Sequence, residues 1–328
     1  MYKKNCKIVL FLFVLILISC KHEYIHVNIE SKKITSNIDI ESMSFQSKDT
    51  IFLCGGLRAE KGEIFKSTDG GTNWTKVFEG KDKLYSIDFS SDYTNAYSVG
   101  DSMHIQKSSD RGNTWNSKID LSYLGGNYST SIRRIYFINQ SVGFAIGSQS
   151  RENGNTMYTN NKGENWSSIH GSNGLNDWWV FNKDSIIAVG YGIILKISNL
   201  EGNKPLTTPL PLKNDYFTGV WFIDNNTGFV CGFNGGIYKT NNGGQSWKEI
   251  YKNNSVLKKR IHFNDILFET DLVGWVSGYD GVLMKTTDGG NSWKHVKTYT
   301  NNNLKNMFYQ NTKLYITSEN GSYFIISE

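Results

Sequence analysis

The chain has 328 residues, with 35 Lys and Arg against 30 Asp and Glu, for a formal net charge of +5. Three of those Lys lie in the first seven residues, so residues 20–328 carry only +2, a balance that gives no reason to expect a nucleic-acid partner. A chain of this length can bury roughly three quarters of its unfolded surface, and 14% aromatic content supplies material for a large core.

The amino terminus comes first. Lys3, Lys4 and Lys7 precede an uninterrupted apolar run from Ile8 to Ile18, too short to span a bilayer and laid out as a secretory signal. It closes on Leu17-Ile18-Ser19-Cys20, which resembles the lipobox of bacterial lipoproteins. That resemblance implies cleavage after residue 19 and acylation of Cys20, giving firm membrane attachment without a spanning helix. The expected division is a signal peptide at 1–19, a lipidated amino terminus with a ring-closing strand at 20–37, and the folded domain at 38–328. Cys54 and Cys231 occupy matching places, F-L-C-G-G and F-V-C-G-F, in units far apart in the chain; two buried free thiols are expected, and no metal site.

Beyond residue 45 one phrase keeps returning. I-F-K-S-T-D-G-G-T-N-W ends at Trp74, and related boxes end at Trp115, Trp166, Trp247 and Trp293; these five are more than half of the nine Trp. Asp69, Asp110 and Asp288, with Asn161 and Asn242 in the amide versions, are short acceptors suited to holding a tight turn through backbone N–H groups two residues on. Ahead of each box lies a strand of the form Gly-aromatic-x-x-Gly, as in T-G-F-V-C-G at 227–232 and V-G-W-V-S-G at 273–278, and ahead of that an apolar strand. Residues 38–328 hold seven such units of about 42 residues, the usual length of a four-stranded propeller blade. The predicted fold is all-β: a seven-bladed β-propeller of four-stranded blades.

Two units depart from the pattern. The fourth has no box, and all three Pro follow it at 205, 209 and 211, so an extended segment is expected in place of its outer strand. The seventh stops at Phe324-Ile325-Ile326 with no outer strand, and the unassigned run from Tyr24 to Thr35 is expected to fill that edge and close the ring.

The boxes resemble the Asp-box (BNR) repeats of sialidases and other propellers. The fuller phrase is most similar to the photosystem II stability/assembly factor family and its relatives in non-photosynthetic bacteria, over roughly residues 45–328. The resemblance implies a non-enzymatic propeller that holds other proteins, with the boxes as turn formers on the face away from the ligand site. On the opposite face, basic residues begin inner strands at Arg133, Arg134, Lys259 and Arg260, and aromatics gather in loops at Trp178, Trp179, Tyr191, Phe233 and Tyr279. Arg beside exposed rings is the make-up of a protein or sugar contact surface.

The functional expectation is therefore a non-catalytic binding or assembly module, without cofactor. It would be monomeric and lipid-anchored at the outer membrane, with another envelope protein or a glycan as partner. The rival is a glycan-processing hydrolase or carbohydrate-binding protein. Its carboxylates would come from Asp101, Asp177, Asp215, Asp265 or Asp280, among which no spacing singles out a pair.

Overall fold

The apolar phrases of the repeat all become strands, and they assemble four at a time. A computed structural model describes residues 24–124, 130–148, 153–172, 174–182, 184–199, 206–212, 215–252 and 261–327. Cys20, Lys259 and Arg260 lie outside these. The described strands form seven antiparallel four-stranded sheets that pack in sequence around a closed ring, a seven-bladed β-propeller. The inner strands are Asp39–Phe45, Leu84–Phe89, Ser131–Phe137, Leu175–Asn182, Phe217–Phe222, Phe263–Phe268 and Leu304–Gln310.

The core is not one mass but seven, one at each blade–blade interface. Tyr97 and Val99 of blade two meet Ile135, Phe137 and Trp166 of blade three, for example. Phe229 and Ile237 of blade five meet Phe263, Ile266 and Phe268 of blade six. Each such side chain contributes about 1.5–3 kcal/mol when taken out of water. Cys54 and Cys231 are buried in two of these interfaces as free thiols.

Pairing within the repeat phrase explains its composition. The box Lys lies over the aromatic of its own blade, Lys239 over Phe229 at 5.2 Å and Lys285 over Trp275 at 4.7 Å. The box Gly then seats against the aromatic of the preceding blade. Gly290 has φ of 81°, and a Cβ there would lie 2.6 Å from the Phe229 ring. Within the turn, the acid or amide bonds a backbone N–H four residues on, not two. Asn73 N–H donates to Asp69 Oδ1 at 2.8 Å and Ser246 N–H to Asn242 Oδ1 at 2.9 Å. The preceding hydroxyl takes the Gly N–H, as Ser67 Oγ does for Gly71 at 2.9 Å. The N–H of Asn73 leads the bonds that hold the Asp69 carboxyl down at about 2.

The two exceptional blades resolve differently. In blade four the segment that holds Pro209 is a fourth strand, Leu206–Pro209, exposed along its length, with Pro209 opposite Leu195. An edge position loses little by a missing N–H. Blade seven is completed by Asn28–Lys33, antiparallel to Ser322–Ser327 with Asn28 opposite Ser327. Ile25 then docks on blade six, its N–H donating to His295 O at 2.8 Å.

One irregularity recurs in all seven inner strands. Each has a register break near its start, at Glu41, Tyr85, Arg133, Asn176, Thr218, Asn264 and the Lys305–Asn306 pair. A bulge sets two consecutive residues on one face. In five of the blades the last Gly of the Gly-aromatic-x-x-Gly phrase gives it room, whereas blade seven carries Ser318 there and bulges as well. A Cβ on Gly100 would lie 1.8 Å from Lys83 O, and one on Gly190 would lie 1.9 Å from Gly174 O.

Removing residues 24–33 should expose the edge of Ser322–Ser327 and lower the calorimetric melting temperature by about 10 °C or more, since each kcal/mol is worth roughly 2–4 °C in a domain of this size. An unchanged melting temperature would show that the ring does not depend on its closing strand.

Candidate functional site

The aligned bulges build the central channel in three tiers. The bulge residues point into one mouth, the cup, on the face of the loops that join second to third strands. The residues after them form a waist: Ser42, Ser86, Arg134, Asp177, Gly219, Asp265 and Asn306. Two positions further, alternation brings Ser44, Asp88, Tyr136, Trp179, Trp221, Leu267 and Phe308 to the opposite mouth, on the face of the box turns.

Polar bonds cross the waist. Arg134 Nε donates to Asp177 Oδ1 at 3.0 Å, and its Nη2 reaches Asn306 Oδ1 at 2.6 Å. Asn306 in turn donates to Glu41 O at 2.6 Å. Carboxylates at and below this level also hold the next inner strand. Val220 N–H donates to Asp177, Met307 N–H to Asp265 and Phe137 N–H to Asp88, at 3.1, 2.7 and 2.7 Å. These bonds occupy N–H groups along inner edges that no further strand covers.

The cup is a cavity of about 360 Å³. Lys83 and Lys305 both bridge Asp39 and Glu41 at 2.5–3.1 Å, a closed four-charge cluster. Burial alone would raise the Glu41 carboxyl, but the Lys305 and Lys83 ammoniums overcome this and hold it below its ordinary value. With those four charges matched, the cations left are Arg58 and Arg133. Neither makes an ion pair with a described residue. The Arg133 guanidinium lies 4.2 Å from the Tyr85 ring centre and lines the cup.

Opposite these cations runs an arc of rings. Tyr191 and Tyr216 are 4.0 Å apart, Tyr216 and Phe233 5.7 Å, Phe233 and His262 3.9 Å, and His262 and Tyr279 5.5 Å. One half of the rim is therefore charged and the other aromatic.

The mouth on the box face is larger, about 570 Å³, and of opposite character. Trp179 and Trp221 touch at 4.7 Å and form its wall with Phe308 and Tyr136. Asp265 is pushed up to about 7 by burial and by the charge of Asp177, against the pull of Arg134. Asp88 is pushed up to about 7 by burial in the channel wall. Among the described residues no three His, Cys, Asp or Glu side chains are grouped to hold a metal.

Against the sequence expectations, Arg133 and Tyr279 line the cup, Tyr191 and Phe233 join its rim through ring contacts with Tyr216, and Arg134 lies at the waist. Trp178 and Trp179 are not in a loop. They are consecutive residues of an inner strand and so face opposite ways, Trp178 into the interface with blade three and Trp179 into the other mouth. Asp177 and Asp265 do come together, but each already bonds the neighbouring strand. The sequence reading missed Tyr216, His262, Lys83 and Lys305. A signal for the tiers was present: apolar-x-x-apolar, as in Ile132-Arg133-Arg134-Ile135, breaks strand alternation where each bulge falls.

The class defined by these features is a closed seven-bladed propeller with a polar waist and two unlike mouths. The family model described as Photosynthesis system II assembly factor YCF48 matches residues 203–312, a third of the chain. Among solved structures, YCF48 bound to D1 peptide is 18% identical with a TM-score of 0.75, covering 94% of this chain and 99% of its own. YCF48 from Cyanidioschyzon merolae is 17% identical with a TM-score of 0.70, covering 91% and 98%. The WD40 beta propeller domain of Doa1 is 13% identical with a TM-score of 0.69, covering 91% and 96%. At these identities the likeness is one of fold. No curated protein matches the chain.

The carboxyls titrate in opposite senses. Asp69 and Asp110, held at about 2, contribute stability that is present above their unfolded value near 4 and lost as pH falls from about 4 to about 2. Asp88 and Asp265 keep their protons to about 7, so the folded state binds more protons than the unfolded and stability falls as pH rises from about 4 to about 7. Melting curves of the Asp88→Asn/Asp265→Asn variant should show a shallower loss between pH 5 and 7.5 (roughly that window) than those of the parent. Equal slopes would contradict the assignment.

Proposed function

We propose that the chain is a non-catalytic, protein-binding member of the photosystem II stability/assembly factor-like propellers, and that its cup receives an acidic peptide segment with a neighbouring aromatic or apolar residue. The carrying observation is Arg133, set over Tyr85 in the lining of the cup, with no ion pair to a described residue and across from the arc that runs from Tyr191 to Tyr279. A guanidinium lining a partly enclosed cup can bind a carboxylate through two parallel bonds, and the rings offer rigid area to the residue beside it. The family match over residues 203–312 and the likeness to a propeller with a bound peptide support this reading.

The envelope setting is part of the proposal. Cys20 would carry the lipid, leaving Lys21 to Tyr24 as a tether of at most about 14 Å. The closing strand starts beside Ser327, at the box-face end of its blade, so the tether leaves on the side away from the cup. A lipidated chain so held turns its cup outward from the outer membrane toward partners.

Selection from a displayed random-peptide library should enrich Asp or Glu next to an aromatic residue. Arg133→Ala should weaken the selected peptides tenfold or more, a loss of about 1.4 kcal/mol or greater, with Arg133→Lys recovering part of it. Selection without acidic enrichment, or affinity indifferent to Arg133, would remove the reading. For the anchor, a thiol-reactive reagent added to vesicle-bound lipoprotein should label Arg58→Cys readily and Leu272→Cys, on the box face, slowly. The reverse order would overturn the orientation.

A further inference from the structure

The second mouth of the channel is not used by the reading above and has its own chemistry. Below the waist it is walled by Trp179, Trp221, Phe308 and Tyr136, the two indoles in contact at 4.7 Å. Trp179, Trp221 and Phe308 each pack with part of their surface on a blade-interface core and turn the rest toward a channel of about 570 Å³, so that they wall a cavity able to hold an apolar body. Its charge is of the opposite sign to that of the cup. Arg134 is matched by Asp177, which leaves Asp88 and Asp265 as carboxylates that form no ion pair with a described residue. Aromatic faces attract cations electrostatically, and carboxylates beside them strengthen the preference.

We infer that the mouth on the box face is a second binding site, for an organic cation: an ammonium or guanidinium group on an apolar stem. Its rings enclose the stem and Asp88 and Asp265 face the charge. It shares only the waist with the cup, so the two sites can be occupied independently. The protonation of the two acids gives a further signature. Asp88 has Tyr136 beside it on the next blade, and Asp265 has Arg134 and Asp177 across the waist. Both acids ionise near neutrality, so affinity for a permanent cation rises as pH rises through about 7.

The test is calorimetric titration of the intact chain with choline and with its uncharged isostere 3,3-dimethylbutan-1-ol. Choline should bind saturably, with a dissociation constant of about 1 mM or below, and the alcohol at least tenfold more weakly. Asp88→Asn keeps the acceptor for the Phe137 N–H and removes only the charge. It should weaken choline about tenfold and flatten the pH dependence, and Trp179→Ala should weaken it comparably. The amides of N-acetyl-lysine and N-acetyl-arginine form a second arm. If they bind as choline does, the natural occupant is a protein side chain; if choline alone binds, it is a small or lipid-borne quaternary amine. Equal affinity for the alcohol, no saturation, or an unaltered Asp88→Asn variant (with its melting curve showing the fold intact) would each overturn the assignment.

Discussion

Everything functional in this molecule depends on a close approach of backbone to backbone. In five blades the final Gly of the Gly-aromatic-x-x-Gly phrase lets a carbonyl at the start of the inner strand come where a Cβ would stand, as at Gly100 against Lys83 and Gly190 against Gly174. In blade five the Asp215 carboxyl lies against Gly232, and blade seven bulges with Ser318 in that place. The inner strand bulges at that level, and two neighbouring side chains face the channel instead of one. Repeated around the ring, this converts an ordinary strand edge into two tiers of chemistry, one for the cup and one for the waist. Without the bulge, Arg133 and Arg134 would point to opposite faces, one toward the channel and one into an interface that has no partner for it.

The waist is what keeps the two mouths chemically separate. Arg134 spans from Asp177 to Asn306, and Asn306 holds the backbone of Glu41, so polar bonds interrupt the channel midway. Above it the cations left over after pairing dominate, and below it the carboxylates do. A propeller wall made only of apolar residues would have no such division. The same carboxylates carry a second duty as acceptors for N–H groups of the next inner strand, which couples the electrostatics of the channel to the closure of the ring.

Much of the architecture was legible because the repeat is loud. Trp and Gly at fixed offsets define the boxes, the seven-fold count follows from unit length, and the unassigned strand near Tyr24 matched the unit lacking an outer strand. The site was legible only in fragments. Arg133, Tyr191, Phe233 and Tyr279 stand in loops or strand starts that the box phasing locates. Trp179 was misplaced because a pair of adjacent Trp looks like a loop cluster until strand parity assigns one ring to each face. Lys83, Lys305 and Tyr216 went unseen for a different reason. Their significance lies in meeting across blades, and no local pattern announces a contact between residues as far apart as Asp39 and Lys305. The break in alternation at Ile132-Arg133-Arg134-Ile135 and its six counterparts was visible, but it acquires meaning only when all seven are laid side by side.

The seam between Asn28–Lys33 and Ser322–Ser327 joins residues nearly three hundred positions apart. The first strand to leave a ribosome therefore waits, without its neighbour, until the last has been made. A chain built this way completes its disc only after its last blade has been made. Contacts of such long range also make the final stitch a slow one, so the interval before sealing is when the exposed edge of the last blade is most open to capture by another strand.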